Sequence, residues 1–584
     1  MFNNTIKLTK FMLKRERTTS IAWIVTMVGL NLVILLLMGL SLMPDAESIA
    51  EFMSMMSNPA LLAMVGPVYS MDVATMGALY TLMMFVFMGI TMGIMNIFLI
   101  VRHTRADEEA GRYEVLRSLP CGRLANVNAA MLTAIVVNVA AAALFTLTMW
   151  LGMSIIGDTH MYYEEWEMIA ATNPWWDISA ALLWGATLGA IGLAFAAVAA
   201  LFSQLSSNSR GALSYSFIVM GLFYFLRAGA DMNPEDMGLL AFFSPLGLMS
   251  RTWVYIHNIW WPLFVVLGIA GAFTALAYWT CSIRDIDQGI IPSRPGKAHG
   301  GIFLKSAFGL NFRLLRTSII AWILVLFVTG LSYSTVLQDI DTFVAGSDAY
   351  RQMLLAPIPG LLEQIETYNM TTEQIAAQMN TVLNALGYNI IQMFANMIGF
   401  VMAMVATVPV VLFILKAKGE EKNIRSELLF ATPVSKIKYL VGFAAIAFVS
   451  AVLIQVAQAL GLFSLAQSAL ENPADLPLSF LLQSALMYVP AMWVMGGIAV
   501  LVVGLFPRHT GWIWAYFGFT FFAMLYGRML PGLNWIANLT PFGWVPQLPM
   551  DEINWLVMAI MSVIGLGLTA AGVFFYRRRD INVA

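Results

Sequence analysis

Charge is scarce in this sequence. Asp, Glu, Lys and Arg supply 11% of its 584 residues, where a soluble domain carries roughly a quarter. That excludes an ordinary water-facing surface, and 60% hydrophobic residues with a mean hydropathy of +0.77 point to a bilayer instead. Cysteine is almost missing. Cys121 and Cys281 both fall in segments read below as cytoplasmic, where thiols stay reduced, so no disulfide is expected. The five histidines match no metal-ligand spacing, which leaves metal-assisted hydrolysis without support. No phosphate-cradling G-x-x-x-x-G-K-[ST] loop occurs. The nearest segment, Gly296-Lys297-Ala298, lacks the hydroxyl residue and a flanking strand, so the chain is not expected to be an enzyme or to bind ATP itself.

What is abundant is long apolar sequence. Twelve runs are long enough to cross a hydrocarbon core of ~30 Å, which takes about 20 helical residues. They lie near 21–43, 77–101, 125–155, 178–203, 211–229 and 260–281, then 317–336, 393–415, 438–468, 478–505, 511–530 and 554–576. None alternates in hydrophobicity as a barrel strand would. The first run is longer than a signal-peptide core and has no small-residue cleavage site after it, so it is read as an uncleaved helix. The forty methionines are packing residues in this reading. No Asp, Glu, Lys or His lies well inside any of the twelve spans, which argues against an ion-coupling site at bilayer depth.

The few charges are distributed unequally. With the N-terminus inside and the spans alternating, 27 of the 31 Lys and Arg fall on the inner side; only Arg227, Arg251, Arg351 and Arg528 fall outside. Of the 33 acids, 22 lie outside. The positive-inside rule therefore puts both termini in the cytoplasm, and the protein, multi-pass, is expected in the cell membrane.

The chain also repeats itself. Arg17-Thr18-Thr19-Ser20-Ile21-Ala22-Trp23 returns as Arg316-Thr317-Ser318-Ile319-Ile320-Ala321-Trp322, and Ser244-Pro245-Leu246-Gly247 as Thr540-Pro541-Phe542-Gly543. Arg284-Asp285-Ile286 and Arg579-Asp580-Ile581 close the two halves, and Tyr215 and Arg227 correspond to Tyr516 and Arg528. Six helices per half is an even number, so both halves share one orientation: two parallel six-helix repeats in an all-α polytopic membrane protein. The first covers 1–288, the second 305–584. The intervening 289–304, with Pro292, Pro295, Gly296 and Gly300, reads as a cytoplasmic linker. Basic amphipathic stretches at 5–19 and 303–316 are expected to lie along the membrane interface. Segments 230–258 and 530–552, rich in Pro, Gly and aromatics, read as re-entrant or interfacial pieces, and a polar helical pattern occupies 371–387. Gly185 and Gly189, and likewise Gly565, Gly567 and Gly572, fit close helix contact.

The repeat that carries most information is a charged inner loop. The first copy contains Glu108, Glu109, Arg112 and Glu114, then Pro120 and Arg123. The second contains Glu420, Glu421, Arg425 and Glu427, then Pro433 and Lys436. From Arg112 to Arg123 the offset is a constant 313, with one inserted residue expected between that stretch and the Glu pair. On one helix these side chains form a charged face, ended by the prolines. A solvated loop obeying the positive-inside rule would not need its acids kept in both copies, so a docking surface is the better reading. Arg227 and Arg528, near outer helix ends, are accounted for by snorkelling. The alternative places them, with Tyr215 and Tyr516, at an outer gate or cargo path.

At the E-E-x-x-G-R-x-E-x-L-x-x-x-P-x-x-R loop the chain resembles type-2 permeases of ATP-binding-cassette (ABC) exporters, in particular the fused-half branch of polyketide antibiotic exporters. The resemblance implies multidrug efflux and antibiotic resistance. It implies an export channel between the halves for a hydrophobic small-molecule cargo, with no nucleic acid involved. It also implies two copies of a cytoplasmic ABC ATPase subunit, which hold ATP and Mg and dock on the charged loops. Reversing Glu108/Glu109 or Glu420/Glu421 is then expected to uncouple the ATPase without unfolding the permease. An ion-coupled secondary drug transporter, and a non-transporting membrane sensor paired with an ATPase, are the competing classes.

Overall fold

The structure is a computed structural model. It describes residues 1–42, 66, 73–118, 120–156, 160–164, 167–170, 174–232, 238–285, 288–291, 299, 301, 304, 306–334, 337, 372–386, 388–422, 424–470, 472–525 and 534–580. The chain forms two compact units, Met1–Gly296 and Lys297–Ala584. Among the described residues eleven helices are long and apolar enough to cross a membrane, and the protein is an all-α, multi-pass membrane protein. Arg528, Arg351 and most of the 289–304 and 337–371 segments lie outside the described residues.

In the first unit the order is α1 (Thr5–Leu37), α2 (Met76–His103), α3 (Arg105–Glu109), α4 (Arg112–Arg117), α5 (Ala125–Ile156), α6 (Pro174–Leu205), α7 (Ser209–Met232), α8 (Pro245–Ser250) and α9 (Trp261–Ile283). The Ala- and Gly-rich α6 is the centre, packed against α2, α5, α7 and α9. A Cβ at Gly189 would press within 3.3 Å of the Asn138 carbonyl on α5, so the missing side chain sets that approach. Apolar packing alone gives little driving force between helices in lipid, and buried amides add direction. Asn96 and Asn138 exchange two hydrogen bonds, at 3.0 and 2.6 Å, and Asn31 Oδ1 accepts from Tyr80 Oη and Trp184 Nε1.

The expected interfacial stretch at 5–19 is not a separate element. It is the beginning of α1, which at 33 residues is ~50 Å long. One stripe of this helix, including Met12, Glu16, Ser20, Met27, Asn31 and Leu35, is buried from end to end. That continuous contact outweighs the amphipathic pull of Lys7, Lys10 and Lys14 toward an interface. Outside the helices, β1 (Val73–Thr75), β2 (His160–Glu164) and β3 (Glu167–Ala170) form a small antiparallel sheet pairing Val73 with Tyr162 and Met161 with Ala170. Its short segments carry no alternation the sequence reading could detect.

The second unit contains α10 (Ala307–Ser334), α11 (Thr372–Ala385), α12 (Ile390–Lys422), α13 (Arg425–Phe430), α14 (Lys436–Ala469), α15 (Leu478–Met487), α16 (Val489–Leu505), α17 (Gly511–Leu525) and α18 (Trp555–Arg578). The stripe buried on α10 is Asn311, Leu315, Ile319, Leu326, Gly330 and Ser334, which is the α1 stripe displaced by 299 residues. The 303–316 stretch likewise runs unbroken into α10 from Ala307. Gly565 and Gly572 lie against α16, where Cβ atoms would come 2.8 Å from Trp493 C and 2.6 Å from Val500 C; Gly567 faces open space and is no packing residue. Two expected spans differ in detail. The run 478–505 is two helices abutting at Tyr488, and only the 15 residues of α17 represent 511–530, residues 526–530 lying outside the described set.

The repeated S/T-P-x-G segments build the same device twice. Ser244 Oγ accepts from Gly247 N at 3.3 Å, and Thr540 Oγ1 from Gly543 N at 3.3 Å. Leu246 and Phe542 between them are buried within their units.

Candidate functional site

Each charged loop is folded back onto the last helix of its own unit. In the first, Glu108 accepts both guanidinium arms of Arg284 at 2.7 Å and one of Arg105 at 2.9 Å, and its side chain is 4% exposed. In the second, Glu421 accepts from Arg579 at 2.5 Å and from the Tyr576 hydroxyl. Burial alone would lower the Arg284 guanidinium, but the bond to Glu108 leaves it held above its ordinary value. Arg284 and Arg579 are the C-cap residues of α9 and α18. The repeated closing Arg-Asp and the repeated loop acid, far apart in sequence, are therefore partners.

Arg284 and Arg579 each hold a third segment. Arg284 Nε donates to Gln204 Oε1 at the end of α6 (2.8 Å), and Arg579 Nη1 to the carbonyl of Val503 at the end of α16 (3.2 Å). The base after each proline completes the arrangement. Arg123 donates to the carbonyls of Cys281 (3.2 Å) and Arg284 (2.7 Å), and Lys436 to that of Arg579 (2.7 Å). Cations are favoured at such helix C-termini, where carbonyls lack partners.

This geometry corrects the register of the repeat. Asp107 receives Arg112 at 2.6 Å, and Glu420 lies 3.5 Å from Arg425; Glu108 and Glu421 take the closing arginines. The acid pairs are Asp107-Glu108 and Glu420-Glu421, so the offset of 313 continues without an inserted residue. Glu109 corresponds to Lys422. It accepts instead from the backbone N (3.0 Å) and Oγ (2.5 Å) of Ser209 at the start of α7, while in the second unit Lys418 Nζ donates to the equivalent Thr510 (2.8 Å). The sequence missed Asp107 because matching the Glu-Glu letters favoured the wrong alignment.

The loop is also not one helix. Gly111 (φ 71°) and Ile424 (φ 61°) occupy the same left-handed position and separate the acids from α4 and α13. A left-handed residue interrupts the ladder, so Glu108, Arg112 and Tyr113 do not share one face. Tyr113 is buried and its hydroxyl donates to the Arg123 carbonyl at 3.4 Å. What projects is α4 and α13. Glu114 and Glu427 are exposed, and beside them Val115 is 68% and Leu428 79% exposed.

The first unit adds ties to α1 that the second lacks. Arg15 forks onto Asp107 at 2.6 and 2.9 Å, and Glu16 takes Arg102 (2.9 Å) and His103 (3.1 Å), where the second unit has Leu314 and Leu315. Glu16 and His103 are buried at the loop end of their helices.

Compared with known proteins, the chain is similar to the "Multidrug efflux system permease protein Rv1217c" of Mycobacterium tuberculosis (strain ATCC 25618 / H37Rv). The two are 27% identical over 585 residues, covering 100% of this chain and 96% of the relative. The second unit matches the family "Multidrug efflux system permease Rv1217c, C-terminal domain" over residues 304–372 and 358–577.

Of the gate candidates, Arg528 lies outside the described residues, and the other three are each held by contacts within their own unit. Arg227 is fully buried, 3.4 Å from Asp231 one turn on and over the Tyr224 ring at 5.1 Å, so it does not snorkel; Asp231 is also 3.8 Å from Arg251. Tyr215 lies 12 residues earlier on α7, ~18 Å along the helix from Arg227, and packs on Phe202. Tyr516 donates to the Leu539 carbonyl at 3.1 Å.

Proposed function

We propose that this chain is the membrane permease of an ATP-driven exporter of hydrophobic, drug-like compounds, polyketide antibiotics among them. One cytoplasmic ABC ATPase subunit docks on α4 and a second copy on α13, with ATP and Mg held in those subunits. The loops face the cytoplasm in this reading, as do both termini. The observation that carries it is the duplicated pair of short helices, each presenting an exposed aliphatic knob (Val115, Leu428) beside a carboxylate (Glu114, Glu427) on a base pinned by largely buried ion pairs. An apolar knob held on a rigid base suits insertion into a groove on a soluble partner. The full-length likeness to a protein named as a multidrug efflux permease supports the drug-like cargo. The loop acids serve to hold the short helices, and the docking contact itself is made by the residues that project.

The test is a mild-detergent pull-down of the tagged chain from its native membrane, with mass spectrometry and an ATPase assay. Two ABC ATPase copies per permease are expected; a chain recovered alone and without ATPase activity would refute the reading. Ion coupling is the second reading, favoured by Glu16, His103 and Asp231, ionisable groups buried in helices of the first unit. Transport abolished by a protonophore while ATP is held constant would establish it.

A further inference from the structure

Between the acid and the projecting helix of each loop stands a left-handed residue, Gly111 or Ile424. On their own, α4 and α13 could swing about that point, and a push from a docked subunit would be absorbed in the loop. Both ends of each short helix are, however, fastened to the same place. Before it, Glu108 and Glu421 are gripped by Arg284 and Arg579; after it, Arg123 and Lys436 are bonded to the backbone carbonyls of those same two arginines. A third strap spans the left-handed residue itself, Asp107 to Arg112 and Glu420 to Arg425. Shifting one end of the short helix relative to α9 or α18 thus breaks a partly buried, charge-assisted contact, which costs more than moving the pair together.

We propose that Arg284 and Arg579 are positioning residues that make each short helix and the last helix of its unit one mechanical body, so that displacement of α4 or α13 is delivered to α9 or α18. This rests on the docking proposed above. Both arginines also reach the ends of α6 and α16, so the fourth long helix of each unit is drawn into the same body. Lysine cannot replace them, since it keeps the charge but loses the fork that reaches two segments at once.

The test uses the full permease with its co-purified ATPase in a Cys121→Ala, Cys281→Ala background. A spin label is placed at Leu556→Cys, exposed at the far end of α18, and in a second preparation at Trp261→Cys on α9. Trapping with ATP, Mg and vanadate is expected to change the label spectrum. Arg579→Lys and Arg284→Lys should abolish that change in their own units while ATPase recovery and trapping persist; Arg577→Lys, an exposed control, should leave it intact. A change that survives the Arg→Lys variants overturns the proposal, and so does the absence of any change in the parent complex that traps nucleotide. If no ATPase is recovered with the parent, the exporter reading fails first and the inference with it. Should the Lys variants lose the complex, Glu421→Asp and Glu108→Asp keep both charges and shorten the reach; loss of the complex there too makes the pair purely structural and overturns the positioning role.

Discussion

Reversing Glu108 separates the structure from the sequence reading most sharply. As an exposed docking charge it would tolerate Glu108→Lys with full stability. In the fold it lies between Arg105 at 2.9 Å and Arg284 at 2.7 Å with a side chain only 4% exposed, so the reversal gathers three cations in a buried site. Removing one partner of a buried pair costs about 3–5 kcal/mol because the other charge stays desolvated. That is a large part of a total stability of roughly 5–15 kcal/mol. In a unit of this size the loss corresponds to a fall of about 5–10 °C in the midpoint of thermal unfolding. The assay is heating in detergent followed by size-exclusion chromatography with tryptophan fluorescence. Glu114→Lys, six residues further on and exposed, should match the unmodified protein, and Glu108→Arg with Arg284→Glu should recover part of the loss. Equal midpoints for Glu108→Lys and Glu114→Lys would refute the clamp.

Four further outcomes follow from the packing. Asp231→Asn, which removes the charge beside the buried Arg227 and the half-buried Arg251, should lower the melting midpoint, with a cost of about 3–5 kcal/mol; an unchanged midpoint would restore the snorkelling picture. A double-mutant cycle of Asn96→Leu and Asn138→Leu in bilayers should give a coupling of about 0.6–1.7 kcal/mol, read from reversible unfolding. Gly572→Leu should separate α18 from α16 and reduce the monodisperse fraction on chromatography, whereas Gly567→Leu, facing open space, should not. Gly111→Ala, with nothing within 4 Å of the new Cβ, should cost about 1 kcal/mol through its left-handed backbone alone, and the same substitution at Gly29, in open space on α1, should not.

Sequence alone determined the membrane class, because 60% hydrophobic residues in long unalternating runs leave no other solution for the backbone's polar groups than helices. It located most helices to within a few residues, and it found the internal repeat through anchors such as Arg17 to Trp23 and the closing Arg-Asp. It also picked out Glu108, Arg123, Glu421 and Lys436 as belonging together. It could not tell why. Letter matching paired Glu108 with Glu420; only the contacts to Arg284 and Arg579 revealed that Asp107 and Glu420 are equivalent. Amphipathicity suggested interfacial stretches at 5–19 and 303–316, where a continuous buried stripe keeps α1 and α10 whole. Arg227 looked exposed because its partner Asp231 lies beyond the apolar run, and helix periodicity does not say which face is covered. Tertiary structure decided most of these points because burial and ion pairing depend on distances between residues such as Arg15 and Asp107, 92 positions apart, or Glu108 and Arg284, 176 apart, and the local pattern of a sequence holds no record of them.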